Sequence, residues 1–176
     1  MPKLAILSTP EQRRFDSPTK FNVHGRLLYF SLNKAELDLV KALHKPTNKV
    51  GFTLQLGYFK AYGKFFGVEQ FHQKDIEYVT KILNFSKEDI HLSSYKKKIP
   101  TDHRKQILTL LGWQPFNQTQ QQKTIDHLQW LIQKQLSPKH VLLSAIEFFW
   151  QNKIEIPSYH ALSTFITDAY NHFEQE

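Results

Sequence analysis

Three short runs of this chain gather the residue types that hold phosphate. The first is Lys45, Thr47, Asn48 and Lys49, at the expected start of a helix. Free amides at a helix N-terminus favour anions, and two lysines add charge. The side-chain amide of Asn48 can pair bidentately with an adenine edge. Thr47 either joins that grip or only caps its helix. The second run follows Tyr95 and holds Lys96, Lys97, Lys98, His103, Arg104 and Lys105. A triple lysine grips phosphates without reading sequence. Arg104 is expected in the first turn of a helix capped by Thr101, where the helix dipole disfavours a cation. A nearby phosphate or base edge explains that placement; an acidic partner such as Asp102 is the other explanation. The third run, Ser158, Tyr159 and His160, opens the last expected helix, and Tyr159 is either a contact or a core ring. Arg13, Arg14, Lys20 and Arg26 form a further basic group near the N-terminus, a phosphate contact or a plain solvated face.

The charge is uneven along the 176 residues, whose formal net charge is +7. Residues 1–64 carry eleven Lys and Arg against four Asp and Glu, residues 65–95 are net −2, residues 96–105 net +4 and residues 106–176 net −2. Alternating basic and mildly acidic segments suit a protein that sets basic elements against a polyanion. Hydrophobic residues make up 40% and aromatic residues 14%, so a packed core rich in rings is expected. With no cysteine there is no disulfide, thiol catalysis or thiolate metal site, which fits a reducing cytoplasm. No signal peptide and no membrane span are legible.

Catalytic constellations are not legible either. The nine histidines show no i, i+4 pair and no metal-ligand spacing. Asp75 and Glu77, two apart, fall on different faces of a helix. The serines sit at caps, and no phosphate loop follows the glycines. The chain therefore reads as a binding module, with no cofactor, no metal and no enzymatic activity expected.

The elements that position these groups read all-α. The centre is a helix over 47–62 with apolar groups nearly all round: Val50, Leu54, Gly57 and Ala61 on one side, Phe52, Leu56 and Phe59 on the other. Its Gly51 and Gly57 each cost roughly 1 kcal/mol against alanine, and close helix–helix approach is expected to offset them. Short helices are expected after Thr9 and Asn22, a longer one after Ser31, and others over 72–83, from Thr101 to Gly112, over 119–135, from Ser137 and from Ser158. The basic linker Ser93–Pro100 is the expected boundary. It divides the chain into an N-terminal helical DNA-binding subdomain, 1–95, and a linker plus second DNA-binding subdomain, 96–176. The expectation is two contacting bundles, each with a helix-turn-helix-like arrangement. Residues 138–150 with the helix from Ser158 are such a pair, although the 151–157 connection is longer than the usual turn.

Five motifs in order carry a resemblance: Phe15-Asp16-Ser17-Pro18 with Phe21; Pro46-Thr47-Asn48-Lys49-Val50-Gly51-Phe52 running into Leu54-Gln55-Leu56-Gly57-Tyr58-Phe59; Phe71-His72 with Asp75, Ile76 and Tyr78-Val79; His103-Arg104, Ile107-Leu108 and Leu111-Gly112-Trp113-Gln114-Pro115-Phe116; and Ile156-Pro157-Ser158-Tyr159 with Leu162. With them the chain resembles the N-terminal region of the replicative, cointegrate-forming transposases of bacterial class II transposons. That resemblance implies recognition of double-stranded DNA at terminal inverted repeats, with catalysis in a carboxylate-bearing domain this chain does not contain. It also implies the remainder of a transposase as a partner, a cytoplasmic, nucleoid-associated location, and no membrane or small-molecule cofactor. Lys49 and Lys64 stand where the family carries basic residues, often arginine; lysine keeps phosphate contact and loses the planar fork. The competing expectation is a helical assembly module, which exposed rings at Tyr58, Phe65 and Phe66 would favour.

Overall fold

A computed structural model describes residues 3–174. Among them are nine α-helices: α1 (Thr9–Phe15), α2 (Val23–Tyr29), α3 (Lys34–Ala42), α4 (Pro46–Tyr62), α5 (Gln73–Ile82), α6 (Lys98–Leu111), α7 (Gln118–Gln133), α8 (Pro138–Asn152) and α9 (Tyr159–Glu174). Short 3-10 turns occupy Val68–Gln70, Lys87–Asp89 and Leu92–Ser94. The described residues hold no strand, only an isolated bridge between Gln114 and Ile154. The fold is all-α, with two helix clusters.

Local chemistry sets most of the boundaries. Ser8, rather than Thr9, caps α1 in a reciprocal capping box with Glu11. Asn33, rather than Ser31, does the same for α3 with Glu36. Asn22 and Ser137 accept the expected amide bonds at the starts of α2 and α8, and Asn117 caps α7 in the same way. Gly63 ends α4 in the left-handed region at φ 66°.

Contacts divide the chain into two units, and the division differs from the expected linker boundary. One unit is Ser17–Leu111; the other joins the segment up to Asp16 to the segment from Gly112. The 96–111 stretch stays with the first unit because Ile107 and His103 are buried where α6 packs on α4. The N-terminal segment goes with the other unit because Ile6 and Leu7 are buried in its core.

In the Ser17–Leu111 unit every residue of α4 from Val50 to Phe59 is buried, with α2, α3, α5 and α6 packed about it. The two helical glycines do admit close approach, of a ring at Gly51 and of both a ring and the α2 backbone at Gly57. A Cβ on Gly51 would meet the Tyr95 ring at 2.5 Å, and one on Gly57 would strike the Phe30 ring and come within 3.0 Å of the Tyr29 carbonyl. A polar hub lies inside this ring-rich core. Asp75, fully buried, accepts from Arg26 Nε at 2.9 Å and from the Tyr58 hydroxyl at 2.6 Å. Burial, with the Asp75 carboxylate second, pushes the Tyr58 hydroxyl far above the ordinary tyrosine range.

In the other unit α7, α8 and α9 pack on one another around Leu128, Val141, Leu142, Phe149, Leu162 and Ile166. Phe116 lies edge-on to Phe149 and Phe165, so the loop after Gly112 folds onto the core. The bridge is built by Gln114 donating to the Lys153 carbonyl and accepting from the Glu155 amide, both at 2.8 Å. It fixes the start of the α8–α9 connection, six residues from Lys153 to Ser158.

Candidate nucleic-acid interface

At the tip of α4, Lys45 is exposed and extended (φ −116°, ψ 142°), and no side chain caps the helix. Pro46 at the first position has no amide to satisfy. Asn48 and Lys49 are half-buried on the first turn, and the Asn48 amide makes no hydrogen bond among the described residues. Thr47 departs from both readings. It is buried, its hydroxyl accepts from the His91 amide at 2.9 Å and donates toward the Asp89 carbonyl at 3.5 Å. It neither caps α4 nor faces solvent; it ties the 87–91 turn to the helix.

The second run sits on the same flank of α4. Tyr95 packs on Gly51, and Gln55 donates to the Tyr95 hydroxyl at 2.7 Å and to the Pro100 carbonyl at 3.4 Å. Lys96, Lys97 and Lys98 are exposed, as is Lys105. Helix α6 begins at Lys98, before the expected cap at Thr101, whose hydroxyl donates back to the Lys97 carbonyl at 3.1 Å. Lys97 makes that tight entry in the left-handed region, φ 61°. Arg104 therefore falls in the second turn, and the first-turn dipole reasoning does not apply to it. Nor is its partner Asp102: Nε donates to Gln55 Oε1 at 3.0 Å, Nη2 to the Phe66 carbonyl at 3.2 Å, and the guanidinium lies 5.6 Å from the Phe65 ring centre.

His103 is inside the protein, 4% exposed, edge-on to Phe52 and 2.7 Å from the Tyr95 hydroxyl through Nδ1. Because Tyr95 accepts from Gln55, its own proton goes to Nδ1, which leaves a neutral imidazole protonated on Nε2. Burial holds the imidazole down at about 4, so at neutral pH His103 is a neutral ring of the core rather than a surface cation. Arg26 is spent on Asp75. Lys64 is buried with Nζ 5.6 Å from the Phe66 ring centre, so it too lies off the surface. Lys20 is exposed.

In the other unit Arg13 and Arg14 are exposed in the last turn of α1, where cations complement the helix dipole. Ser158 is exposed and accepts from the Ala161 amide at 3.3 Å, a capping bond. Tyr159 is a core ring: it is buried and its hydroxyl accepts from the Ile6 and Leu7 amides at 3.2 Å each. Its amide donates to Asp16 Oδ1 at 2.9 Å, so a carboxylate of the chain itself already holds the tip of α9. His160 is exposed and shares a 2.8 Å hydrogen bond with Lys3 Nζ.

Gln55 was not singled out from sequence, although it organises the Arg104 side chain. The available signal was a polar residue inside the otherwise apolar run Val50–Phe59. Trp130, 62% exposed with Lys134 Nζ 5.4 Å from its ring centre, was not singled out from sequence either. Among the described residues no group of three or more His, Cys, Asp or Glu could hold a metal ion, and no helix is long and apolar enough to cross a membrane.

Residues 6–169 match a family described as a domain of unknown function, DUF4158. The chain is also similar to the transposase for transposon Tn1546 of Enterococcus faecium, 25% identical over 166 residues. That stretch covers 93% of this chain and 17% of the relative, so the chain spans about a sixth of the relative's length. The resemblance to a bacterial transposon transposase is thereby borne out.

Proposed function

The chain belongs to the DUF4158 family, and from that footing we propose that it is a double-stranded DNA-binding module of a transposase, specific for terminal inverted repeats. One observation carries the reading. In the Ser17–Leu111 unit Lys45, Lys96, Lys97, Lys98 and Lys105 all remain exposed on elements laid along one flank of α4. Thr47 and Gln55, which anchor those elements, are separated by about 12 Å of helix, within reach of one duplex segment. Lysines there hold phosphates, while Asn48, with no internal partner, is the base-reading group. Arg13, Arg14, Ser158 and His160 supply contacts from the other unit, and Lys20 a further one from the first. A cytoplasmic, nucleoid-associated location and the remainder of a transposase as partner follow from the same reading.

A second reading, a helical assembly module, draws support from α2, where Val23, Leu27 and Leu28 are 73%, 59% and 67% exposed. The rings named for it lend none: Tyr58 and Phe66 are buried, and Phe65 lies beneath Arg104. Titration of the chain against an inverted-repeat duplex and a scrambled duplex separates the two. Tighter binding to the repeat is expected; equal affinity would remove sequence specificity, and no binding to either would leave assembly.

A further inference from the structure

Arg104 is a charge built into the protein and left unneutralised. Its Nε is fixed by Gln55 and one Nη2 proton by the Phe66 carbonyl. Gln55 is 2% exposed and is itself held by Tyr95 and Pro100, so the guanidinium plane has little freedom. Both partners of Arg104 are neutral acceptors. No carboxylate comes within ion-pair distance of it among the described residues. A half-buried cation with neutral partners alone lacks the opposite charge that normally offsets its desolvation. Of five guanidinium N–H donors, three stay unused.

A cavity of about 530 Å³ is lined by Arg104 together with Lys96, Lys97, Ser93, Thr101 and Glu69. The Thr101 hydroxyl is occupied by the Lys97 carbonyl, whereas Ser93 is exposed. Glu69 supplies the lining's carboxylate, and it folds back against Gly67, where a Cβ would strike it. The wall thus presents three cations and a hydroxyl against one carboxylate.

We infer that this cavity is a phosphate-binding subsite, in which Arg104 holds two phosphate oxygens through its free edge, Lys96 and Lys97 neutralise the charge, and Gln55 acts as the positioning residue. A planar fork suits tetrahedral oxyanions better than lysine does. The inference rests on the DNA reading for its source, a phosphodiester of the bound backbone; free phosphate carries the same chemistry.

The test follows the Arg104 Nε–Hε resonance in 1H–15N spectra of the full chain. Inorganic phosphate, dimethyl phosphate, or sodium chloride at matched ionic strength is added. In parallel, wild type and Arg104→Lys are titrated with duplex DNA. A saturable shift with both phosphates but not chloride is expected. So is on the order of tenfold weaker binding of repeat and scrambled duplexes by Arg104→Lys. Duplex binding with no phosphate shift and no loss in Arg104→Lys overturns the subsite and leaves the DNA reading standing. A saturable phosphate shift without duplex binding supports the subsite for free phosphate and removes the DNA reading. No response to any of them overturns both. Should Arg104→Lys fail to fold, the exposed pair Lys96→Ala with Lys97→Ala serves instead: loss of the phosphate response supports the subsite, and an unchanged response overturns it.

Discussion

Acidification should destabilise the Ser17–Leu111 unit through His103. Burial holds its imidazole at about 4, against an ordinary value of 6.5. The unfolded chain takes up a proton as the pH falls below 6.5, and the folded chain resists until about 4, so stability present above 6.5 is lost across that window. Between pH 7 and pH 5 the loss from this one group is about 2 kcal/mol, since each pH unit inside the window is worth about 1.4 kcal/mol. His103→Gln keeps an acceptor for the Tyr95 hydroxyl and removes the titration. It should lower stability at pH 7, because packing on Phe52 is lost, and flatten the dependence between pH 7 and pH 5. The choice of probe matters. All three tryptophans, Trp113, Trp130 and Trp150, lie in the unit that begins again at Gly112, so none is a probe placed inside the Ser17–Leu111 unit. Hydrogen exchange at α4 amides during urea titration is such a probe. If wild type and His103→Gln lose α4 protection in parallel as the pH falls, His103 is not the buried neutral group described above.

Gly57→Ala should destabilise the same unit by about 1–2 kcal/mol: overpacking against Phe30 and the Tyr29 carbonyl outweighs the gain in helix propensity. Thermal melting monitored by circular dichroism checks it, and a raised melting temperature would show that the ring yields. Changing Lys96, Lys97 and Lys98 together to alanine should leave melting unchanged, because all three are exposed, and weaken repeat and scrambled duplexes about equally. Loss confined to the repeat would assign that segment to base reading. Asn48→Ala should shift stability by less than about 0.5 kcal/mol, because Asn48 caps nothing, and reduce the preference for the repeat by roughly 1–3 kcal/mol. An unchanged ratio of affinities would take Asn48 off the reading surface.

The central helix was legible because Val50–Phe59 is apolar on both sides, and only a helix packed all round buries such a pattern. Its glycines announced close contact, but not that the contacts would be Phe30 and Tyr95. Ring placement depends on where distant segments cross α4. The same limit governed the site. Thr47, Arg26, His103 and Tyr159 carry polar groups that suit a surface. Three were drawn inward by partners far off in sequence, the His91 amide, Asp75, and the Ile6 and Leu7 amides; His103 was drawn in by the Tyr95 hydroxyl, which the turn before α6 brings onto it. The lysines at 96–98 were legible because nothing in a core accommodates three consecutive ammonium groups. The contact-based division falls elsewhere than the expected linker for a related reason. The stripe at Ile107 and Leu108 shows that α6 is amphipathic, and periodicity does not say which core receives it.

The claim that the cations along this flank of α4 grip a DNA backbone is tested most directly by measuring duplex affinity across a salt series. Lys45, Lys96, Lys97, Lys98, Lys105 and Arg104 together can engage at least about four phosphates, and each contributes about −0.9 to the slope of log affinity against log salt. A slope of magnitude about 4 or more, with melting unchanged across the series, is the expected result. A slope near zero in a folded chain would contradict it.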